Sequence, residues 1–131
     1  MALSILDFYQ TEPKPREYVL PGLLPGRLGS IVSPGGLGKS MMAIQLCHLV
    51  AGVDLLEFGD HPTGRAVYLS AEDSQDILHE RFFAIGSRMN QSQRELGAQN
   101  IILEDLTIHT PDLLKTEWLS TIEKFCIDSR V

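Results

Sequence analysis

Apolar residues along the chain fall into short runs and helical stripes separated by glycine, proline and charge. From Met1 to Glu17 a brief apolar start, "LSILDFY", gives way to the charged and proline-containing "QTEPKPRE". That composition favours an extended lead-in over a packed element. Residues 1–17 are therefore read as an N-terminal arm, with Leu3, Ile5, Leu6 and Phe8 as anchors on a neighbouring subunit in the alternative. "YVLPGLLPGRLGSIVS" brings two Pro-Gly turns and then a short apolar strand, about Leu28 to Val32. Next, Lys39 to Ala51 carries "MMAIQLCHLVA", apolar on nearly every side, which suits a helix buried between a sheet and another layer; Gly52 ends it.

"VDLLEFGDHPTGR" reads as a loop, and "AVYLS", Ala66 to Ser70, as a strand covered on both faces in a parallel sheet. Ile77, Leu78, Phe82, Ile85 and Met89 then recur at helical spacing, with Asp73 or Ser74 available as N-cap. "SQRE", Ser92 to Glu95, matches a capping box for a short helix ended by Gly97, and "NIILEDLTIHT" supplies one or two further strands. Trp118, Leu119, Ile122, Phe125 and Cys126 form one face of a last helix. Alternating strands and helices predict an α/β fold, a mainly parallel sheet with flanking helices. No internal repeat or low-complexity segment interrupts the pattern.

Composition narrows this picture. The 131 residues fit one domain, and 44% hydrophobic against 21% charged residues is enough to bury a core. Eleven Lys and Arg against seventeen Asp and Glu leave a net charge of −6, which excludes a general electrostatic attraction for nucleic acid. Any DNA contact needs a local basic surface or an assembled ring. Cys47 and Cys126 lie far apart in apolar patterns with no metal spacing, so they read as reduced core residues of a cytoplasmic protein. No run approaches the ~18 apolar residues of a membrane span, and no basic region precedes an apolar leader, so a soluble, non-exported chain is expected. His48, His61, His79 and His109 are too dispersed to suggest a metal site.

Chemistry concentrates in "SPGGLGKS", Ser33 to Ser40. The phosphate-loop pattern is G-x-x-x-x-G-K-[ST]; Gly38, Lys39 and Ser40 match it, and Ser33 stands at the first glycine position. Such a loop needs backbone N–H groups turned inward, and Gly35, Gly36 and Gly38 can take the dihedrals that do so. Lys39 can reach the β- and γ-phosphates, the Ser40 hydroxyl can ligate Mg²⁺, and the following helix directs its positive end at the anion. The candidate nucleotide-contacting set is Ser33, Pro34, Gly35, Gly36, Gly38, Lys39, Ser40 and Met41. A glycine-rich turn that merely joins a strand to a helix is the plainer alternative.

In "YLSAED", Glu72 and Asp73 follow a predicted strand whose end opens on the ligand crevice of such sheets. Glu72 can orient, or take a proton from, a water attacking the γ-phosphate, so Glu72 and Lys39 are the candidate catalytic residues. Asp73 reads as a helix cap, favoured there by the helix dipole. Asp105 in "IILED" imitates a strand-ending Mg²⁺ partner, but a solvated turn is the preferred role.

The stretches "YVLPGLLPGRLGSIVSPGGLGKSMMAIQL", "DLLEFGDHPTG" and "AVYLSAEDS" together resemble the RecA-like ATPase domain of plasmid replicative helicases of the RepA type, within the broader AAA ATPase grouping. The resemblance implies a RecA-like P-loop core and a homohexamer that hydrolyses ATP to move on single-stranded DNA. It implies Lys39 and Ser40 as phosphate and Mg²⁺ ligands and Glu72 as the catalytic carboxylate, and it makes Ser33 a family variant. In such domains a Mg²⁺-positioning Asp lies on a strand after the helix matched by Trp118 to Ile127, so residues 18–131 are expected to be the N-terminal portion of the domain. A non-catalytic nucleotide-binding fragment or regulator, or a related DNA-repair ATPase, remains the alternative.

Overall fold

The computed structural model describes residues 4–107, 112 and 114–131. Its elements run α1 (Ile5–Gln10), α2 (Lys39–Val50), β1 (Ala66–Ser70), α3 (Gln75–Gly86), α4 (Gln91–Asn100), β2 (Ile101–Asp105) and α5 (Thr116–Asp128). The expected α/β alternation is present. Among the described residues the sheet has two strands: β1 and β2 pair in parallel, from Ala66 opposite Ile101 to Ser70 opposite Asp105.

The two-residue period of β1 distributes its neighbours. Tyr68 packs toward the buried cluster of Ile44, Val53, Ile85 and Met89, with Met41, Leu55 and Phe82 around it. The next residue, Leu69, points the other way, where it lines a cavity with Trp118, Ile122 and Phe125 of α5. Helices thus cover both faces of β1, and its residues need to be apolar along the whole run. In α5 the apolar face is half-buried at Trp118, Ile122, Phe125 and Cys126, while Leu119 is exposed.

Several sequence expectations are corrected. Leu28 to Val32 forms no strand; Leu28 is fully exposed and Val32 is 87% exposed. Apolar, β-branched composition favours a strand only where a neighbour completes the ladder, and no described segment pairs with this one. The lead-in is not wholly extended either: Ser4 caps α1 by accepting from the Asp7 N–H at 3.3 Å, although α1 buries none of its residues. The turns at Pro21-Gly22 and Pro25-Gly26 do form, with Leu23 N–H donating to the Leu20 carbonyl at 2.8 Å and Arg27 N–H to Leu24 at 3.2 Å.

Caps differ from expectation as well. Ser74, one of the two expected residues, occupies the N-cap of α3 without a side-chain cap hydrogen bond, while the Asp73 carboxylate pairs with Arg81. The capping box of α4 is Asn90 with Gln93, rather than Ser92 with Glu95: the Asn90 side chain accepts from the Gln93 N–H at 2.9 Å and the Gln93 side chain accepts from the Asn90 N–H at 3.0 Å. Gly97 does not end that helix, which continues to Asn100; Gly97 is buried against the His48 ring. Gly52 does follow the end of α2, with φ of 93°. The second strand expected within Leu106–Thr110 falls largely on residues outside the described ones.

The loop between α2 and β1 is internally tied. Asp54 accepts from the N–H of Leu56 at 3.1 Å and of Gly59 at 2.8 Å. His61 faces two carbonyls, Nδ1 to Gly59 at 2.7 Å and Nε2 to Leu49 at the last turn of α2 at 2.5 Å. No helix among the described residues is long and apolar enough to cross a membrane.

Candidate functional site

The loop before α2 owes its shape to its glycines. Gly36 and Gly38 take φ of 77° and 84°, a left-handed region that side chains with a Cβ adopt only at a cost. Gly38 is also the N-cap of α2, so it turns the chain directly from the loop into the helix. A Cβ built at Gly35, Gly36 or Gly38 would meet no atom within 4 Å, because each projects into open space. The glycines therefore serve backbone conformation and an uncovered concave face, not tight packing.

Beside that face lies a cleft of about 350 Å³ lined by Gly35, Gly36, Gly38, Lys39, Ser40, Met41, Glu72, Asp73 and Arg81. Six of the eight candidate nucleotide-contacting residues and the candidate carboxylate Glu72 thus border one space. Ser33 and Pro34 enter differently, through their carbonyl oxygens: the Lys39 ammonium donates to Ser33 O at 2.9 Å and to Pro34 O at 3.0 Å. The Ser33 hydroxyl donates back to the Pro34 carbonyl at 3.2 Å. A serine at this first loop position consequently supplies the same main-chain acceptor that a glycine would, and its side chain is accommodated within the loop.

Glu72 reaches the cleft on the turn between β1 and α3. That turn is braced by Ser70, 4% exposed, whose hydroxyl donates to the Asp73 carbonyl at 3.0 Å and accepts from the Asp73 N–H at 3.2 Å. Glu72 itself is exposed, as a group facing a solvent-filled cleft should be. Asp105, at the equivalent end of β2, braces its own turn instead. Its Oδ1 accepts from Thr107 N–H at 2.8 Å and Thr107 Oγ at 2.6 Å, the side-chain-to-backbone turn expected of Asp.

Three cleft features were not anticipated. Asp73 is not a cap but the partner of Arg81, whose Nη2 donates to Oδ1 at 2.9 Å while Nη1 lies 2.7 Å from Oδ2. The sequence held a signal for it. Arg81 stands three residues after Leu78 and four before Ile85, both buried, so a cation on that face required a partner. Tyr68, beside the cleft, is the third: burial foremost, with the nearby Asp73 charge, pushes its pKa up, while the Ser40 side chain pulls it back. Tyr68 therefore stays protonated and neutral beside Ser40 at ordinary pH. Burial likewise pushes the Cys47 thiol up to about 11, which leaves it an inert packing group on α2.

The donor set suits a polyphosphate. Two glycines of the loop are left-handed, α2 begins beside the cleft, and the Lys39 ammonium is held within the loop, the kind of arrangement that can bind an anion. Among the described residues no group of three His, Cys, Asp or Glu side chains could hold a metal on its own. The family comparison agrees with this chemistry, which is that of an ATPase-type nucleotide-binding domain: residues 1–124 match the model of the AAA domain, and the chain belongs to that family.

Proposed function

We propose that the chain is the ATP-binding part of a RecA-like ATPase of the RepA helicase type, which in an assembled homohexamer couples ATP hydrolysis to movement on single-stranded DNA. The observation that carries the nucleotide reading is the shared cleft, with the Lys39 loop on one side and Glu72 on the other. Lys39 binds the β- and γ-phosphates after exchanging its two carbonyl acceptors for phosphate oxygens, a substitution of one set of charge-assisted hydrogen bonds for a stronger one. Backbone N–H groups of Gly36 and Gly38 and the start of α2 stabilise the remaining charge. Ser40 would hold Mg²⁺, which supplies charge neutralisation between the phosphate oxygens. Glu72 orients the attacking water and receives its proton. The net charge of −6 argues against a general attraction of the isolated chain for DNA, so in this reading DNA contact belongs to a local basic surface or an assembled ring.

Binding of a fluorescent ATP analogue tests this directly. Lys39→Ala is expected to weaken it by about tenfold or more, the loss of a charge-assisted contact of roughly 1.5–3 kcal/mol. Glu72→Gln is expected to retain binding and to lose about a hundredfold of turnover, the usual range for a general base. Unchanged affinity in Lys39→Ala would remove the phosphate-loop assignment, and unchanged turnover in Glu72→Gln would remove Glu72 from catalysis.

A further inference from the structure

We infer that Arg81 is a positioning residue for Glu72: by gripping the Asp73 carboxylate it fixes the Ser70–Asp73 turn that carries Glu72 into the cleft. This inference rests on the assignment of Glu72 as the water-orienting group. The turn between β1 and α3 is short and Glu72 is exposed on it, so packing constrains the Glu72 side chain little. Its direction therefore depends on the backbone on either side. On the N-terminal side the backbone is held by Ser70, which is buried and paired in register with Asp105.

On the C-terminal side Asp73 is held twice. Its N–H and carbonyl both meet the Ser70 hydroxyl, and its carboxylate meets both terminal nitrogens of Arg81, at 2.9 and 2.7 Å. The ion pair is largely shielded, with the two side chains 26% and 14% exposed, so it is less screened than a surface pair. Arg81 in turn cannot swing away freely. It is borne on α3 between Leu78 and Ile85, which are 2% and 4% exposed in the core. The core of the domain is thereby connected through α3, Arg81 and Asp73 to the residue next to Glu72. Of the two guanidinium nitrogens, Nη2 makes the hydrogen bond to Oδ1, while the buried Nη1 lies close to Oδ2 as an ion-pair contact without a hydrogen bond of its own, so the grip is one hydrogen bond reinforced by charge. Because the charges of Arg81 and Asp73 offset each other, the pair adds little net charge to the cleft, and this separates Arg81 from Lys39, whose acceptors are neutral carbonyls.

Amide exchange followed by NMR reads the clamp without requiring turnover. In Arg81→Gln the Asp73 amide is expected to exchange about tenfold faster than in the wild type, while amides in the middle of α2 keep their protection. Asp73→Asn should reproduce this, the double variant should be no worse than either single one, and Arg81→Lys should lie between. Exchange at Asp73 that is unchanged in Arg81→Gln, or that rises equally throughout α2 and β1, would overturn the clamp. The second readout is the ¹³C carboxyl resonance of Glu72 on addition of Mg-ATP. Its shift is expected in the wild type and to be lost in Arg81→Gln, with affinity for the fluorescent analogue reduced far less than in Lys39→Ala; an undiminished shift counts against positioning. If Lys39→Ala binds the analogue normally while Arg81→Gln still loosens only the turn, the nucleotide assignment fails and the mechanical link from Arg81 to the turn stands.

Discussion

His61 shows how a single side chain couples the protein to pH. Both ring nitrogens face carbonyl oxygens, Gly59 and Leu49, so only the doubly protonated imidazolium can donate to both. Those hydrogen bonds, foremost that to Gly59, raise its pKa, with the charges of Asp54 and Asp60 adding and partial burial opposing. The unfolded imidazole titrates near ~6.5, so this contribution is fully present below that pH and is lost as pH rises through the higher folded value. Thermal melts are expected to show Tm falling above about pH 6.5, with that slope reduced in His61→Gln. Asp54 acts in the opposite window. Partial desolvation would raise its pKa, but N–H groups of Gly59, Phe58 and Leu56, aided by His61, lower it, so its contribution is lost only as pH falls through that depressed value.

At the scale of the element, α4 continues past a residue that commonly stops helices. Gly97 is buried in the helix interior, with the site of a Cβ lying 3.5 Å from the His48 ring and 3.7 Å from the Met89 methyl. Those are ordinary contact distances, so a methyl group fits, and its backbone is not in the left-handed region. Gly97→Ala is expected to stabilise the protein by about 0.5–1 kcal/mol, through the lower entropy of the unfolded chain, measured by urea denaturation. A destabilised variant would overturn the reading that the space beside His48 and Met89 accepts a methyl group. The stop signal was misjudged because glycine ends a helix only where φ turns positive, as at Gly52, and residue type alone does not report φ.

For the whole molecule, the test is where the core lies. Leu78 is 2% exposed, whereas Leu28 is fully exposed in a segment that the sequence pattern assigned to a short apolar strand. Leu78→Ala is expected to cost about 2–5 kcal/mol, and Leu28→Ala to remain within about 0.5 kcal/mol, as judged by urea midpoints. Similar costs at the two positions would return Leu28 to the core. Legibility followed range in the chain. The loop from Ser33 to Ser40 and the turn bearing Glu72 are contiguous, and their spacing could be read directly. The Asp73–Arg81 pair, the His61 bridge to Leu49 and the Tyr68 contact with Ser40 join positions that no local period links.

By itself, then, the order of residues pointed to the α/β alternation, to helices at α3 and α5, and to a glycine-rich loop before α2 whose left-handed turns need no distant partner, although Ile77 of the expected α3 face is exposed and Met89 lies beyond that helix. Those are properties of local dihedral preference and of hydrophobic period, both written within a few residues. The tertiary structure alone decided which apolar run became a strand, which residue capped α3, and which acid was gripped by Arg81. The reason is physical: a strand exists only by pairing, and a half-buried charge settles where its counter-charge arrives, so both depend on segments brought together by folding.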